Sequence, residues 1–154
     1  DGHRCDHART MADVWLGVQQ EVARRLIAKP ATKAYGRLTV LVQFSFDVRQ
    51  VRTLSRGVFF PMPAVDSAWL HLRPRPVPVV SVADEALFFR VVQAAFAQRR
   101  KILANSLLTL RQPRLTRQEA AQLIRQLGWS DRLRGEALSL HQFAQLTQAI
   151  HELG

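Results

Sequence analysis

Cysteine is almost absent from this chain. Cys5 is the only one in 154 residues, which excludes an internal disulfide framework and fits a reducing, cytoplasmic setting. Lysine is nearly missing as well, with Lys29, Lys33 and Lys101 the only three. The seven glycines are scattered singly. No G-x-G-x-x-G or Walker loop therefore cradles a nucleotide phosphate. No Ser-His-Asp set occurs, and on its own residues the chain shows no complete catalytic site. No apolar run is long enough to cross a membrane. The most apolar, Leu38 to Val48, is interrupted by Gln43, Ser45 and Asp47. Asp1 to Thr10 is polar and carries no apolar h-region, so no signal peptide is expected. Position 1 is not methionine, and the natural chain is expected to begin earlier. His3-x-Cys5-x-His7 has metal-ligand residue types, but a zinc site wants a fourth ligand and a folded frame. No metal is expected there.

What the chain does have is arginine. Its 22 Lys and Arg stand against 12 Asp and Glu, for a formal net charge of +10. Guanidinium forks match phosphate oxygens in two-point contacts and stack on bases, so nucleic acid leads among the partner classes. Charge alone fits a soluble basic protein without a polyanion ligand equally well. Hydrophobic residues make up 47% of the chain, enough for a real core and against disorder. The length allows one compact domain, or a small domain plus part of another.

The periodicity divides the chain in two. Ala12 to Val18 reads as a buried strand end, Gln19 to Lys29 as a helix stopped by Pro30, and Ala31 to Arg37 as a loop. The alternation of Leu38, Val40, Val42, Phe44, Phe46 and Val48 predicts a strand over Leu38 to Val48, and a second strand follows at Ser67 to Arg73. Residues 1–73 are thus expected to form an α/β portion. Pro74, Pro76 and Pro78 mark an extended linker over 74–83. From residue 84 to 154 the spacing is helical. One helix is expected from Asp84 to about Leu110, with Arg99 and Arg100 about 100° apart on it. Thr116-x-x-Glu119 and Ser139-x-x-Gln142 open two more with capping boxes.

Two stretches could carry chemistry. Phe59-Phe60-Pro61-Met62-Pro63 places two aromatics beside two prolines. This is either a rigid shelf on which a flat base stacks, at about 1–3 kcal/mol per base, or an apolar plug closing the end of a sheet. Phe96-Ala97-Gln98-Arg99-Arg100-Lys101 strings three cations together. Their repulsion is relieved by water on a solvated face or by a phosphate backbone. Gln98 and Asn105, both donors to phosphate or sugar, favour the second reading.

These stretches resemble the ribosomal RNA adenine dimethyltransferase family. The family comprises the universal small-subunit enzymes, the erythromycin-resistance methyltransferases and the mitochondrial transcription factor B proteins. Val18-Gln19-Gln20-Glu21-Val22-Ala23-Arg24-Arg25-Leu26 resembles its Q-K-E-V-A-x-R-L helix, and Ala34-Tyr35-Gly36-Arg37-Leu38-Thr39-Val40 its A-Y-G-R-L-S-V segment. Phe59 to Ser67 resembles F-x-P-x-P-x-V-x-S, and Phe96 to Asn105 resembles F-x-Q-R-R-K-x-x-x-N. Leu138-Ser139-Leu140 to Phe143 resembles the closing helix. The segments occur in family order from about Trp15 onward, and the Q-R-R-K form points to the small-subunit branch.

The resemblance implies the C-terminal part of a Rossmann-like methyltransferase sheet followed by a small all-α domain. It also implies an activity: methyl transfer from S-adenosylmethionine to N6 of two adjacent adenines in 16S rRNA of the small ribosomal subunit. Phe59, Phe60, Pro61 and Pro63 would position the flipped adenine. Arg37, Gln98, Arg99, Arg100, Lys101 and Asn105 would contact rRNA. A monomer is expected, with no membrane association. Met62 and Ala64 depart from the family's usual Pro and Lys. The glycine-rich donor loop, the acidic ribose ligand and the N-L-P-Y motif, whose Asn and a backbone carbonyl localise the amine lone pair, have no counterpart in Asp1 to Met11. The chain alone is therefore expected to be inactive, as a fragment lacking the donor-binding half. The alternatives are a non-catalytic rRNA-binding or ribosome-assembly module and an inert basic domain.

Overall fold

The computed structural model describes residues 12–153. Three strands form an antiparallel sheet: β1 (Val14–Gln19), β2 (Phe46–Leu54) and β3 (Ser67–Pro74), in the order β1-β3-β2. The helices are α1 (Gln20–Leu26), α2 (Arg37–Ser45), α3 (Glu85–Ala97), α4 (Leu103–Leu107), α5 (Arg117–Gln126) and α6 (Leu140–His151). The α/β class and the all-helical C-terminal part agree with the sequence reading.

β3 is the central strand, and its alternation is clean. Ala68, Leu70 and Leu72 are buried against Ala23 and Leu26 of α1, while Trp69 and Arg73 face solvent on the other side. Period-2 patterning of this kind comes from a sheet with one covered face. β1 differs from expectation. Val14, Trp15 and Leu16 are 37–56% exposed, because β1 lies at the edge of this sheet with a neighbour on one side only.

The expected strand at Leu38 to Val48 is a helix over most of its length, with β2 beginning only at Phe46. Burial on two sides is the reason. Val40 and Phe44, four residues apart, enter the helical core, where the Phe44 ring lies 4.8 Å from Phe88 and 5.4 Å from Phe89. Thr39 and Gln43, also four apart, turn toward α1. The Thr39 hydroxyl donates to the Arg25 carbonyl, and the Gln43 amide donates to the Leu26 and Ala28 carbonyls at 2.9 and 3.1 Å. The Gln43 amide thereby satisfies two carbonyls that the end of α1 leaves unpaired, and Thr39 adds a second donor to the Arg25 carbonyl, which already accepts from Ala28 N–H. A helix with apolar neighbours on one face and a helix end on the other shows no simple 3.6-residue stripe.

The long helix expected from Asp84 to Leu110 is broken. α3 stops at Ala97, residues 98–101 form a turn, and α4 restarts at Leu103. Arg99, Arg100 and Lys101 are therefore not on a helix. At the break the Leu103 N–H donates to the Leu133 carbonyl at 2.7 Å, a tertiary bond replacing a helical one. The start of α3 is as the sequence indicates: the Asp84 carboxylate accepts from Leu87 N–H at 2.8 Å. Both capping boxes form, with Thr116 and Glu119 opening α5 and Ser139 and Gln142 opening α6.

The proline-rich segment 74–83 is tied down. Arg75 N–H donates to the Ser45 carbonyl at 2.8 Å, the Arg75 side chain donates to the Gln43 carbonyl, and Val80 is buried. Tyr35, Val40 and Phe44 belong to the same apolar core as α3 to α6, so the segment around α2 packs on both parts of the chain.

Candidate nucleic-acid interface

Between β2 and β3 the chain makes the proline-punctuated loop. Its neck is closed by Asp66. The Asp66 carboxylate accepts from Arg56 N–H at 2.9 Å, and its carbonyl accepts from Gln20 N–H at 3.0 Å. The Arg56 guanidinium reaches back to the Ala64 carbonyl at 3.4 Å. Held this way, the loop projects its aromatics outward: Phe59 is 41% exposed and Phe60 fully exposed. Pro61 is exposed and Pro63 half-buried. Phe60 plugs nothing and stands free on a latched loop, with Phe59 partly covered beside it.

The second group lies where α1, the segment before α2 and the end of α3 converge. Arg37 is the first residue of α2, and Arg99 sits in the turn after α3. Both line one cleft of about 720 Å³ together with Arg24, Arg25 and Lys33. Arg99 Nη2 donates to the Lys33 and Tyr35 carbonyls at 3.1 and 3.2 Å, and its Nε lies 3.6 Å from Glu136. Gln98, Arg100 and Lys101 are exposed in the same turn but outside the cleft, and Asn105 is half-buried on α4. The structure thus brings Arg37 and Arg99 together and sets Arg100 and Lys101 apart from them.

Arg24, Arg25 and Lys33 were not picked out from the sequence. The signal for Arg24 and Arg25 is the arc of α1 opposite buried Ala23 and Leu26, which carries them with Glu21. A second cleft of about 510 Å³ adjoins the first. It shares Glu21 and Arg24 and extends to Arg56, Ala64, Val65 and Asp66 at the base of the loop.

A family model described as ribosomal RNA adenine dimethylase matches residues 4–150. The chain belongs to that family. The family's curated members include the ribosomal RNA small subunit methyltransferase A of Bacillus mycoides (strain KBAB4) and that of Bacillus cereus (strain B4264). Each is 45% identical over 134 residues, covering 86% of this chain and 46% of the relative. The chain therefore spans about half the length of the curated relatives it matches. Among solved structures, a dimethyladenosine transferase from Plasmodium falciparum superposes with a TM-score of 0.74 at 21% identity. It covers 95% of this chain and 59% of that one. A 23S rRNA methyltransferase, ErmE, gives 0.63 at 25% identity over 94% and 57%. The fold is thus α/β and shared with rRNA methyltransferases of Rossmann-like fold.

The family implies S-adenosylmethionine as methyl donor, and the described residues do not fit it. The larger cleft sets Arg24, Arg25, Lys33, Arg37 and Arg99 against Glu21 alone, and a sulfonium cation is repelled there, while the smaller one balances Arg24 and Arg56 with Glu21 and Asp66. Glu21 is paired with Arg25, and Asp66 is committed to the loop neck. No cluster of three or more His, Cys, Asp or Glu side chains suited to a metal occurs among the described residues. His3, Cys5 and His7 lie outside them. No helix among the described residues is long and apolar enough to cross a membrane.

Proposed function

We propose that this chain is the rRNA-facing part of a small-subunit rRNA adenine N6,N6-dimethyltransferase. The observation that carries the proposal is the pairing of a latched, solvent-exposed aromatic shelf with an adjoining arginine-lined cleft. Phe59 and Phe60 offer ring faces on which an extruded adenine stacks. Pro61 and Pro63 stiffen the shelf, so little conformational entropy is lost on binding. Arg37, Gln98, Arg100, Lys101 and Asn105 supply donors to the phosphates and sugars of 16S rRNA.

The donor supplies an electrophilic methyl group when bound. This chain's residues supply the position of the acceptor base, and the 154 residues by themselves transfer no methyl. The family match and the relatives' identity support the reading.

The decisive measurement is binding of the chain to small-subunit rRNA over a range of ionic strength. Affinity at low salt with a steeply negative log–log slope is expected. Failure to bind at low salt overturns the proposal. Calorimetry with S-adenosylmethionine tests the second half: a measurable heat of binding to this chain would show that the donor site is present after all.

A further inference from the structure

We propose that the cleft between α1 and the 33–37 segment holds the phosphates of the RNA strand whose base lies on the proline loop. We further propose that Arg99 serves there as a positioning residue and not as a phosphate ligand. This rests on the RNA-binding function proposed above and names where the strand runs.

The electrostatics point to a polyanion. Arg24, Arg25, Lys33, Arg37 and Arg99 converge on the cleft with one carboxylate, Glu21. Glu21 pairs with Arg25 at 3.0 Å. Arg24, Lys33 and Arg37 have no acidic partner within ion-pair distance among the described residues. Three unpaired cations around one concavity repel one another and focus a positive potential into it. An anion relieves that repulsion.

Arg99 is placed differently. Its donors point inward to the Lys33 and Tyr35 carbonyls, and Glu136 lies beside it. Those carbonyls belong to the segment that carries Lys33 and Arg37. Arg99 therefore sets the wall on which these two cations stand. One guanidinium nitrogen donates to both carbonyls while Nε faces Glu136, a spread of donors over two nitrogens that the single nitrogen of a lysine ammonium does not reproduce.

The continuity of the two clefts decides between a strand and a single anion. Arg24 lines both, beside the Arg25-paired Glu21, and the second cleft ends at Ala64, Val65 and Asp66 at the base of the proline loop. One phosphate cannot occupy both concavities. Successive phosphates of a strand can, with Arg24 at the crossing.

The test is a fluorescence-anisotropy titration of the whole 154-residue chain with a labelled single-stranded oligoadenylate RNA. Arg24→Gln with Lys33→Gln, both exposed, should weaken binding roughly tenfold at low salt and flatten the log–log salt slope by about 1.4. Removing the same charge at exposed Arg114 and Arg117 should do much less, and an equal effect would overturn the cleft assignment. Arg99→Lys should lose as much affinity as Arg99→Ala with helical content retained. Near-native binding by Arg99→Lys would make Arg99 a direct ligand and overturn its positioning role. Inorganic phosphate at matched phosphate concentration should displace the RNA poorly, and efficient displacement would reduce the cleft to a free-anion site. If the unsubstituted chain binds RNA but the Arg24/Lys33 variant binds equally well, the cleft proposal alone fails. If the unsubstituted chain binds small-subunit rRNA but not the oligoadenylate, the cleft proposal alone fails, and if it binds neither at low salt, both proposals fail.

Discussion

The hydroxyl of Tyr35 donates to the carbonyl of Leu138 at 2.6 Å, across 103 residues of sequence, with both residues buried. This bond joins the segment before α2 to the turn before α6. Around it, the Ala31 N–H donates to the Glu136 carbonyl at 2.9 Å and the Tyr35 ring meets Phe96 edge-on at 5.9 Å. The wall of the basic cleft is anchored by these contacts as well as by Arg99.

Tyr35→Phe should therefore destabilise the protein by about 1–3 kcal/mol, since the buried Leu138 carbonyl loses its donor. Burial pushes the Tyr35 phenol up from its ordinary 10.0 to about 12. The unfolded chain gives up this proton first, so its contribution to stability is complete below pH 10 and declines as pH rises from 10 toward 12. Urea melts across that interval should show a shallower alkaline decline for Tyr35→Phe than for the parent. Parallel declines would remove Tyr35 from the linkage.

Two glycines hold the helical part together for different reasons. Gly135 has no room for a side chain: a Cβ there would collide with the Ala95 carbonyl and stand 2.8 Å from Ala95 Cβ. Gly135→Ala must push α3 away and should cost about 1–3 kcal/mol. Gly128 has open space but sits at φ +76, where its N–H and that of Trp129 close the end of α5 onto the Arg125 and Ile124 carbonyls. Gly128→Ala should cost about 1–2 kcal/mol from backbone strain alone. Thermal denaturation of the two variants checks both.

On the proline loop, Phe60→Ala should leave the melting temperature unchanged, because its ring is fully exposed. If the ring stacks on a base, the same variant should lose about 1–3 kcal/mol of RNA affinity. Phe59→Ala, in an enzyme completed with its donor-binding half, should reduce methylation more than RNA affinity. Equal losses of methylation and affinity would argue against a stacking role for Phe59.

Arg100 and Lys101 are exposed in the turn after α3. Replacing both by Ala should leave the fold intact, weaken rRNA binding at low salt, and reduce the magnitude of the salt slope by about 1.4–1.8. An unchanged slope would show that these two cations face only water.

The features legible in the sequence are the local ones. Strand β3 could be read because its two faces meet different surroundings. The starts of α5 and α6 could be read because Thr116 with Glu119 and Ser139 with Gln142 complete their hydrogen bonds within one turn. The resemblance carried the family because its segments recur in order along most of the chain. What escaped was set by neighbours distant in sequence. Leu38 to Ser45 forms a helix because Thr39 and Gln43 serve α1 while Val40 and Phe44 serve the helical core. The turn at Gln98 to Lys101 forms where Leu133 captures the Leu103 N–H. The cleft assembles cations from positions 24, 25, 33, 37 and 99. Local chemistry chose caps, strand alternation and charge. Only the packed chain decided which backbone groups found distant partners, and so which of its arginines face outward and which hold the structure in place.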